Sequence, residues 1–190
     1  MDERKKVTIP MTEDTVRQFR AGDRVLLSGT VYTGRDAAHK RWHALLETGE
    51  PMPFDPKGQV IYYVGPAPAP PGRVIGSAGP TSSYRMDPYA PELIAHGIAG
   101  MIGKGLRSQA VIDAMVQYGA VYFVATGGAA ALIAQSITAQ ETIAYEDLGT
   151  EAVRRLEIRD FPAIVAIDAC GGNIYETEPP KYRKPPKTEA

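Results

Sequence analysis

Hydrophobic and polar positions change period several times along the chain, and each change marks an element. Asp23 to Gly29 is a short apolar run between polar residues, which predicts a strand. After the turn Thr33-Gly34 the period lengthens: Ala38, Trp42, Leu45 and Gly49 recur at helical spacing, so a helix from Asp36 to Thr48 packs one face inward. A proline-rich loop, Glu50 to Pro56, precedes a strand from Gln59 to Val64. Gly65 to Gly72, with four prolines, must be extended or turning, because proline fixes φ and donates no hydrogen bond. Arg73 to Ser77 has β-type composition. Ile98 to Ile102 predicts a strand ending in Gly103-Lys104-Gly105, and a helix follows from Ser108 with Val111, Ala114, Met115 and Tyr118 on one face. Ala120 to Ala125 is a further strand. Gly127-Gly128 then opens a helix, Ala129 to Gln135, that is apolar almost all round and therefore belongs in a core or against a partner. Thr138 to Ala144, Leu156 to Arg159 and, most clearly, Ala163 to Asp168 complete the strands.

The opening up to Ala21 is polar and reads as an arm with a short helix near Glu13 to Phe19. The domain is expected over residues 1–175, and the tail over 176–190 has too little apolar content for a core of its own. Strands interleave with helices in the middle and dominate at both ends. That pattern predicts an α/β fold, with a partly parallel central sheet and a second, smaller antiparallel layer.

Composition narrows the function. The 190 residues are 44% hydrophobic and 23% charged, as in a soluble globular domain. Lys and Arg (21) nearly balance Asp and Glu (22), which gives no support to a nucleic-acid or membrane-surface partner. No apolar run reaches the roughly 18 residues of a membrane span, and the charged start MDERKK is unlike a signal peptide, so the expected location is the cytoplasm. Cys170 is the only cysteine, which excludes an internal disulfide and a cluster held by this chain alone. His39, His43 and His96 are scattered, and no metal site is expected.

The candidate chemistry gathers at Gly79-Pro80-Thr81-Ser82-Ser83-Tyr84-Arg85-Met86-Asp87-Pro88-Tyr89. The run Arg73 to Ser77 leads into it, and a helix is expected to leave it with Asp87 as N-cap and Pro88 at the first helical position. Hydroxyls, free backbone N–H groups and one guanidinium suit an anion there. An ordinary βα turn with capping Ser and Thr has the same composition. If the central strands are parallel, their C-terminal ends share an edge with Arg35, Thr81 to Arg85, Lys104, the Gly127-Gly128 helix start and Asp168. Three cations and two helix starts would suit a small dianion, Arg by paired hydrogen bonds and Lys as a point charge. A solvated lysine at a strand end would explain Lys104 equally, and a solvated helix edge would explain Arg35 with His39. No P-loop fits, because Ile98 stands where its first Gly is needed and Gly105 where Ser or Thr is needed. Neither G-x-G-x-x-G nor a G-x-S-x-G nucleophile turn is present.

Four ordered stretches carry a resemblance: Ser28 to Arg41 (SGTVYTGRDAAHKR), Gly79 to Tyr89 (GPTSSYRMDPY), Gly100 to Gly105 (GMIGKG) and Ala125 to Leu132 (ATGGAAAL). Together they resemble the C-terminal domain of the class I, iron–sulfur-dependent fumarate hydratases, a separate β subunit in two-subunit forms. The L(+)-tartrate dehydratase β subunit is similar, although YTGRDAAHKR and GMIGKG lean to the fumarase side. In the family the GPT corner usually carries a second Thr and a Gly where this chain has Ser82 and Tyr84. The resemblance implies a swivelling β/β/α domain and reversible hydration of fumarate to (S)-malate. It also implies a [4Fe–4S] cluster held by a partner α subunit, in a hetero-oligomer with two copies of each chain. Arg35, Arg85 and Lys104 would hold the substrate carboxylates with Ser82 and Ser83, and Thr81 would be either the base or a positioning group. A non-catalytic dicarboxylate-binding scaffold subunit is the alternative from another class.

Overall fold

Two long strands organise the computed structural model, which describes residues 4–126 and 128–183. β2 (Arg24–Thr33) and β7 (Val153–Ile167) run antiparallel, from Arg24 opposite Ile164 to Tyr32 opposite Arg155. β1 (Lys5–Ile9) lies parallel to β2, and β3 (Val60–Tyr62), β4 (Gly100–Gly103) and β5 (Val121–Val124) continue the sheet as parallel neighbours. β5 then meets β7 antiparallel, and β6 (Ile137–Ala144) pairs with the first half of β7. The order is β1-β2-β3-β4-β5-β7-β6, and because β7 also pairs with β2, strands β2, β3, β4, β5 and β7 close into a ring.

The fold is therefore mixed α/β with a mainly parallel sheet. The expected antiparallel second layer is instead the continuation of that same sheet, reached through β7. Parallel neighbours need crossovers. These are supplied by α1 (Glu13–Arg17), α2 (Asp36–Thr48), α3 (Ala90–Ala95) and α4 (Gln109–Tyr118). Short helices α5 (Ala130–Ile133), α6 (Ile174–Thr177) and α7 (Pro179–Tyr182) follow later in the chain. Among the described residues, no helix is long and apolar enough to cross a membrane.

Strand alternation splits the core in two. Val25, Leu27, Val31, Val60, Tyr62, Ile102, Val121, Phe123, Phe161 and Val165 fill one cluster, which unites the strands of the ring. Their neighbours Ile61, Tyr63, Met101 and Tyr122 belong to the other, with Ala38 and Trp42 of α2, Leu93 and Ile94 of α3, and Val111 and Met115 of α4. The helices thus pack on the outer face of β3, β4 and β5.

Several elements differ from the sequence expectation. The opening is no free arm: Val7 and Ile9 are buried and β1 is a sheet strand. β2 continues past Gly29 to Thr33. Arg73 to Ser77 forms no strand but folds back on the proline-rich segment, where Ala67 N–H donates to the Ser77 carbonyl at 2.9 Å. Leu156 to Arg159 and Ala163 to Ile167 belong to one strand, β7, which ends before Asp168 and is bulged where Asp160 takes a positive φ of 49° and its N–H donates to Ser28 Oγ. Tyr118 is exposed, and Ile112 takes its place on the buried face of α4. The apolar helix expected over Ala129 to Gln135 shortens to α5 and a 3-10 turn, with Ile133 buried and Leu132 in solvent. Gly127 and residues 184–190 lie outside the described residues, and α6 spans the expected boundary between domain and tail.

Candidate active site

The C-terminal ends of β2, β3 and β4 bring most of the expected residues to one edge, linked by contacts that run from one to the next. β2 ends at Thr33. Gly34 must follow, because a Cβ there would fall 2.3 Å from the buried Trp42 ring. Arg35 is the N-cap residue of α2, and its carbonyl accepts from both the backbone N–H and Nδ1 of His39, each at 2.9 Å. Its guanidinium passes over Gly65, just beyond β3, so closely that a Cβ there would lie 2.6 Å from Nη1. Thr81 joins the end of β3 by its backbone N–H, which donates to the Tyr63 carbonyl at 2.7 Å. Ser82 bridges Lys104, at the end of β4, as a parallel partner. Arg85 closes the circuit on the residue after Arg35: its Nε donates to Asp36 Oδ1 at 3.0 Å, and Nη2 lies 2.5 Å from Oδ2.

Two of the three cations are therefore paired with carboxylates of this chain. Arg35 Nη2 lies 3.3 Å from Glu151, its Nε is buried without a hydrogen-bond partner among the described residues, and Arg85 is clamped by Asp36. Lys104 is exposed and makes no ion pair among the described residues. The Thr81 hydroxyl, half-buried, makes no hydrogen bond among the described residues. Ser83 has a different place from the one expected. It is wholly buried; its Oγ accepts from Lys104 N–H at 3.1 Å and from the Tyr122 hydroxyl at 2.8 Å, so it supports the corner from beneath. Tyr84 is 65% exposed on the rim.

Asp168 is not at this edge. β7 runs antiparallel to β2 and β5, so its C-terminal end lies beside the N-terminal ends of the parallel strands. There the Asp168 carboxylate accepts from the backbone N–H groups of Ala21, Cys170 and Gly172 and ties two turns together. Asp87 is not the N-cap of the following helix either. Ser83–Met86 forms a 3-10 turn, and α3 begins later, with Tyr89 as its cap. Asp87 reaches instead to α4, accepting from Ser108 N–H at 2.5 Å and Arg107 Nε at 2.7 Å.

Arg107, which no sequence motif marks, is the main support that composition could not reveal. Its side chain has no exposed surface, stacks over Tyr63 and Tyr122, and donates to the Tyr63 hydroxyl at 3.4 Å. His39 is equally hidden, contrary to the solvated helix edge. Burial pushes its pKa down to about 4, so the ring is neutral at physiological pH. The Arg35 carbonyl can only accept, which places the ring proton on Nδ1 and leaves Nε2 buried without a partner among the described residues.

A cleft of about 580 Å³ lies between Pro66 to Ala69 and the Gln140, Thr142 and Arg154 side of β6 and β7, and Thr81, Arg85 and Lys104 do not line it.

Comparison with known proteins decides the family: the model of the fumarase C-terminus matches residues 1–178. The chain belongs to the fumarase C-terminus family. It is 40% identical over 176 residues to fumarate hydratase 2 of Leishmania major, covering 90% of this chain and 31% of that protein. It is 42% identical over 161 residues to the anaerobic class I fumarate hydratase of Escherichia coli, covering 84% of this chain and 29% of that one. The chain thus spans about a third of the length of these hydro-lyases. A Methanocaldococcus jannaschii protein named as an L(+)-tartrate dehydratase subunit beta is 38% identical over 172 residues, which cover 87% of this chain and 88% of that protein. The iron–sulfur cluster that the resemblance implies finds no fitting ligands here. Cys170 is the only thiol, and among the described residues no three His, Cys, Asp or Glu side chains converge.

Proposed function

We propose that this chain is the β subunit of a two-subunit hydro-lyase interconverting fumarate and (S)-malate, and that its sheet is the swivelling β/β/α domain of that enzyme. One observation carries the reading: in a fumarase C-terminus chain, Arg35, Thr81, Arg85 and Lys104 sit on a single strand edge, joined through Gly65, Tyr63, Ser82 and Asp36. Arg85 and Arg35 grip the substrate carboxylates, and Lys104, unpaired among the described residues, adds a positive charge that a dianion neutralises. Ser82 holds Lys104 beside the Thr81 corner. Thr81 is placed as the base or as a positioning group. A threonine hydroxyl ionises only with strong help from neighbouring positive charge, and a base role would also call on a carboxylate contributed by the other subunit. The cluster belongs to the α subunit, in a complex with two copies of each chain, and that partner completes the site.

The test is to assay fumarate hydration by the purified chain alone and after assembly with the cluster-bearing subunit. Activity is expected only in the complex, and substantial turnover by the isolated, iron-free chain would overturn the reading. In the complex, Thr81→Val abolishes turnover with little change in malate binding if Thr81 is the base, and raises KM if it positions substrate, with Thr81→Ser retaining activity in either case. Saturable malate binding by a complete complex without turnover would establish a scaffold instead.

Tartrate is the second reading. It is favoured by the similarity along nearly the whole of both chains to a protein named for tartrate dehydratase. Turnover of malate against L-tartrate by the assembled enzyme decides between them.

A further inference from the structure

We infer that Asp36 is the positioning residue of the carboxylate-binding edge: it holds the Arg85 guanidinium side-on, so that the far nitrogens of the fork face the ligand. The inference rests on the proposed dicarboxylate reading. A guanidinium has five N–H donors fixed in one plane. Asp36 engages one flank: Nε donates to Oδ1 at 3.0 Å, and Nη2 lies 2.5 Å from Oδ2 as an ion-pair contact in which Oδ2 accepts no hydrogen bond among the described residues. The Nη1 and Nη2 hydrogens make no hydrogen bond to Asp36, and one from each nitrogen forms the end-on pair that grips a carboxylate through two parallel bonds. A fork held on one side and open on the other has lost its rotational freedom before the ligand arrives, which lowers the ordering cost of binding.

The position of Asp36 in the chain gives the contact its purpose. Asp36 is the first residue of α2 and follows Arg35, the N-cap, so one helix start fixes the backbone of one arginine and the side chain of the other. Their spacing is thereby set by a rigid 13-residue helix instead of by two independent loops. The helix is itself immobilised by the buried Trp42 and by His39, whose Nδ1–H donates to the Arg35 carbonyl. Asp36 and Arg85 side chains remain 33% and 39% exposed, and an ion pair at that exposure contributes little to stability. Its geometry is what distinguishes it. An acid in the first turn also favours the helix N-terminus, and that is a structural role from which the test must separate it.

A double-mutant cycle in the assembled enzyme makes the separation. Asp36→Ala is expected to raise the KM for malate about tenfold or more, with a smaller fall in kcat and the melting temperature within a few degrees of wild type. In an Arg85→Lys background, where no fork is left to align, the same substitution should change kcat/KM by less than about threefold. An equal loss in both backgrounds, or no loss in either, overturns the inference, because an effect through the helix or through the global field does not depend on Arg85. Asp36→Glu, which keeps the charge and lengthens the arm, should recover part of the KM. A second measurement needs no activity. In the ¹⁵N-labelled chain the Arg85 Nε–H should be a resolved, slowly exchanging signal that Asp36→Ala abolishes, and fast exchange in the wild type overturns the inference. An assembled enzyme that turns over neither malate nor tartrate would refute the proposed function, while the protected Nε–H would still report whether Asp36 holds Arg85.

Discussion

Asp87 and Arg107 form a buried ion pair, Nε to Oδ1 at 2.7 Å, in which the arginine side chain has no exposed surface and the aspartate 10%. The second carboxylate oxygen accepts from Ser108 N–H, the cap position of α4. The pair therefore clips the corner carrying Thr81 and Arg85 to the helix that follows β4. Removing one partner leaves a desolvated charge, so Asp87→Ala should cost about 3–5 kcal/mol by chemical denaturation. Replacing both, as Asp87→Leu with Arg107→Met, should recover most of that loss, since apolar packing substitutes for a buried pair at small cost. A single variant as stable as wild type would show that the charge finds water.

His39 makes acid stability measurable. Its folded pKa, about 4, lies below the ordinary histidine value of 6.5 because burial disfavours the imidazolium. The unfolded chain therefore takes up a proton before the folded one does. The contribution is complete above pH 6.5, and is lost as pH falls toward the folded pKa, amounting to roughly 3 kcal/mol across the window. Urea titrations between pH 7 and 4 should show this loss, and His39→Gln should flatten that part of the profile. His43 works in the opposite sense. Its hydrogen bond to Glu92 raises its pKa, so the tie it makes between α2 and α3 is strongest at low pH and fades as pH rises through that raised value. An unchanged profile in His39→Gln would mean that the ring is hydrated in solution.

What was legible in the sequence follows from how local each signal is. α2 was predicted from Asp36 to Thr48 and has those bounds, because its helical period and its glycine C-cap lie within its own residues. The cationic edge was legible for the same reason: Arg35, Thr81, Arg85 and Lys104 each follow a strand or a turn signal of their own. β1 is not legible in the sequence, since only Val7 and Ile9 of its five residues are buried and the rest read as a polar arm. β7 reads as two strands in the sequence because Pro162, which lacks an N–H, stands between its two apolar runs, whereas the structure absorbs the interruption in a bulge where Asp160 takes a positive φ. The sequence cannot give the edge at which Asp168 lies, because strand direction is a tertiary property and the antiparallel course of β7 reverses its ends. Arg107 left no signal at all: its partner lies 20 residues away, and the pair exists only once the corner and α4 meet.

The close approach at Gly103 gives a steric prediction with a built-in rescue. A Cβ on Gly103 would sit 1.9 Å from Ser83 Oγ and 2.9 Å from Tyr63 Cδ2. Gly103→Ala must therefore expel the Ser83 hydroxyl from its bonds to Lys104 N–H and Tyr122, at a cost of about 1–3 kcal/mol for overpacking. Combining it with Ser83→Ala removes the colliding oxygen and leaves Cβ at 3.3 Å, so part of the stability should return. If the double variant melts below Gly103→Ala alone, the Tyr63 ring, rather than Ser83, is the obstacle.

Arg85→Lys tests the carboxylate grip itself. Lysine preserves the positive charge but has one nitrogen in place of a planar fork, so it cannot bond Asp36 on one flank and a substrate carboxylate on the other in fixed geometry. A flexible ammonium beside Asp36 would pair with that carboxylate, which is anchored in the chain, in preference to one arriving from solution. Losing a positioned, charge-assisted pair of donors should cost roughly 2–4 kcal/mol in transition-state binding, or about two to three decades in kcat/KM. Lys104→Arg offers the contrast. Lys104 is exposed and its side chain makes no ion pair among the described residues, so a point charge can be moved there with less harm, and activity should stay within about tenfold. Steady-state kinetics of the assembled enzyme with malate check both substitutions. If Arg85→Lys works within threefold of wild type, Arg85 is not the clamp, and the grip must come from Arg35 and Lys104.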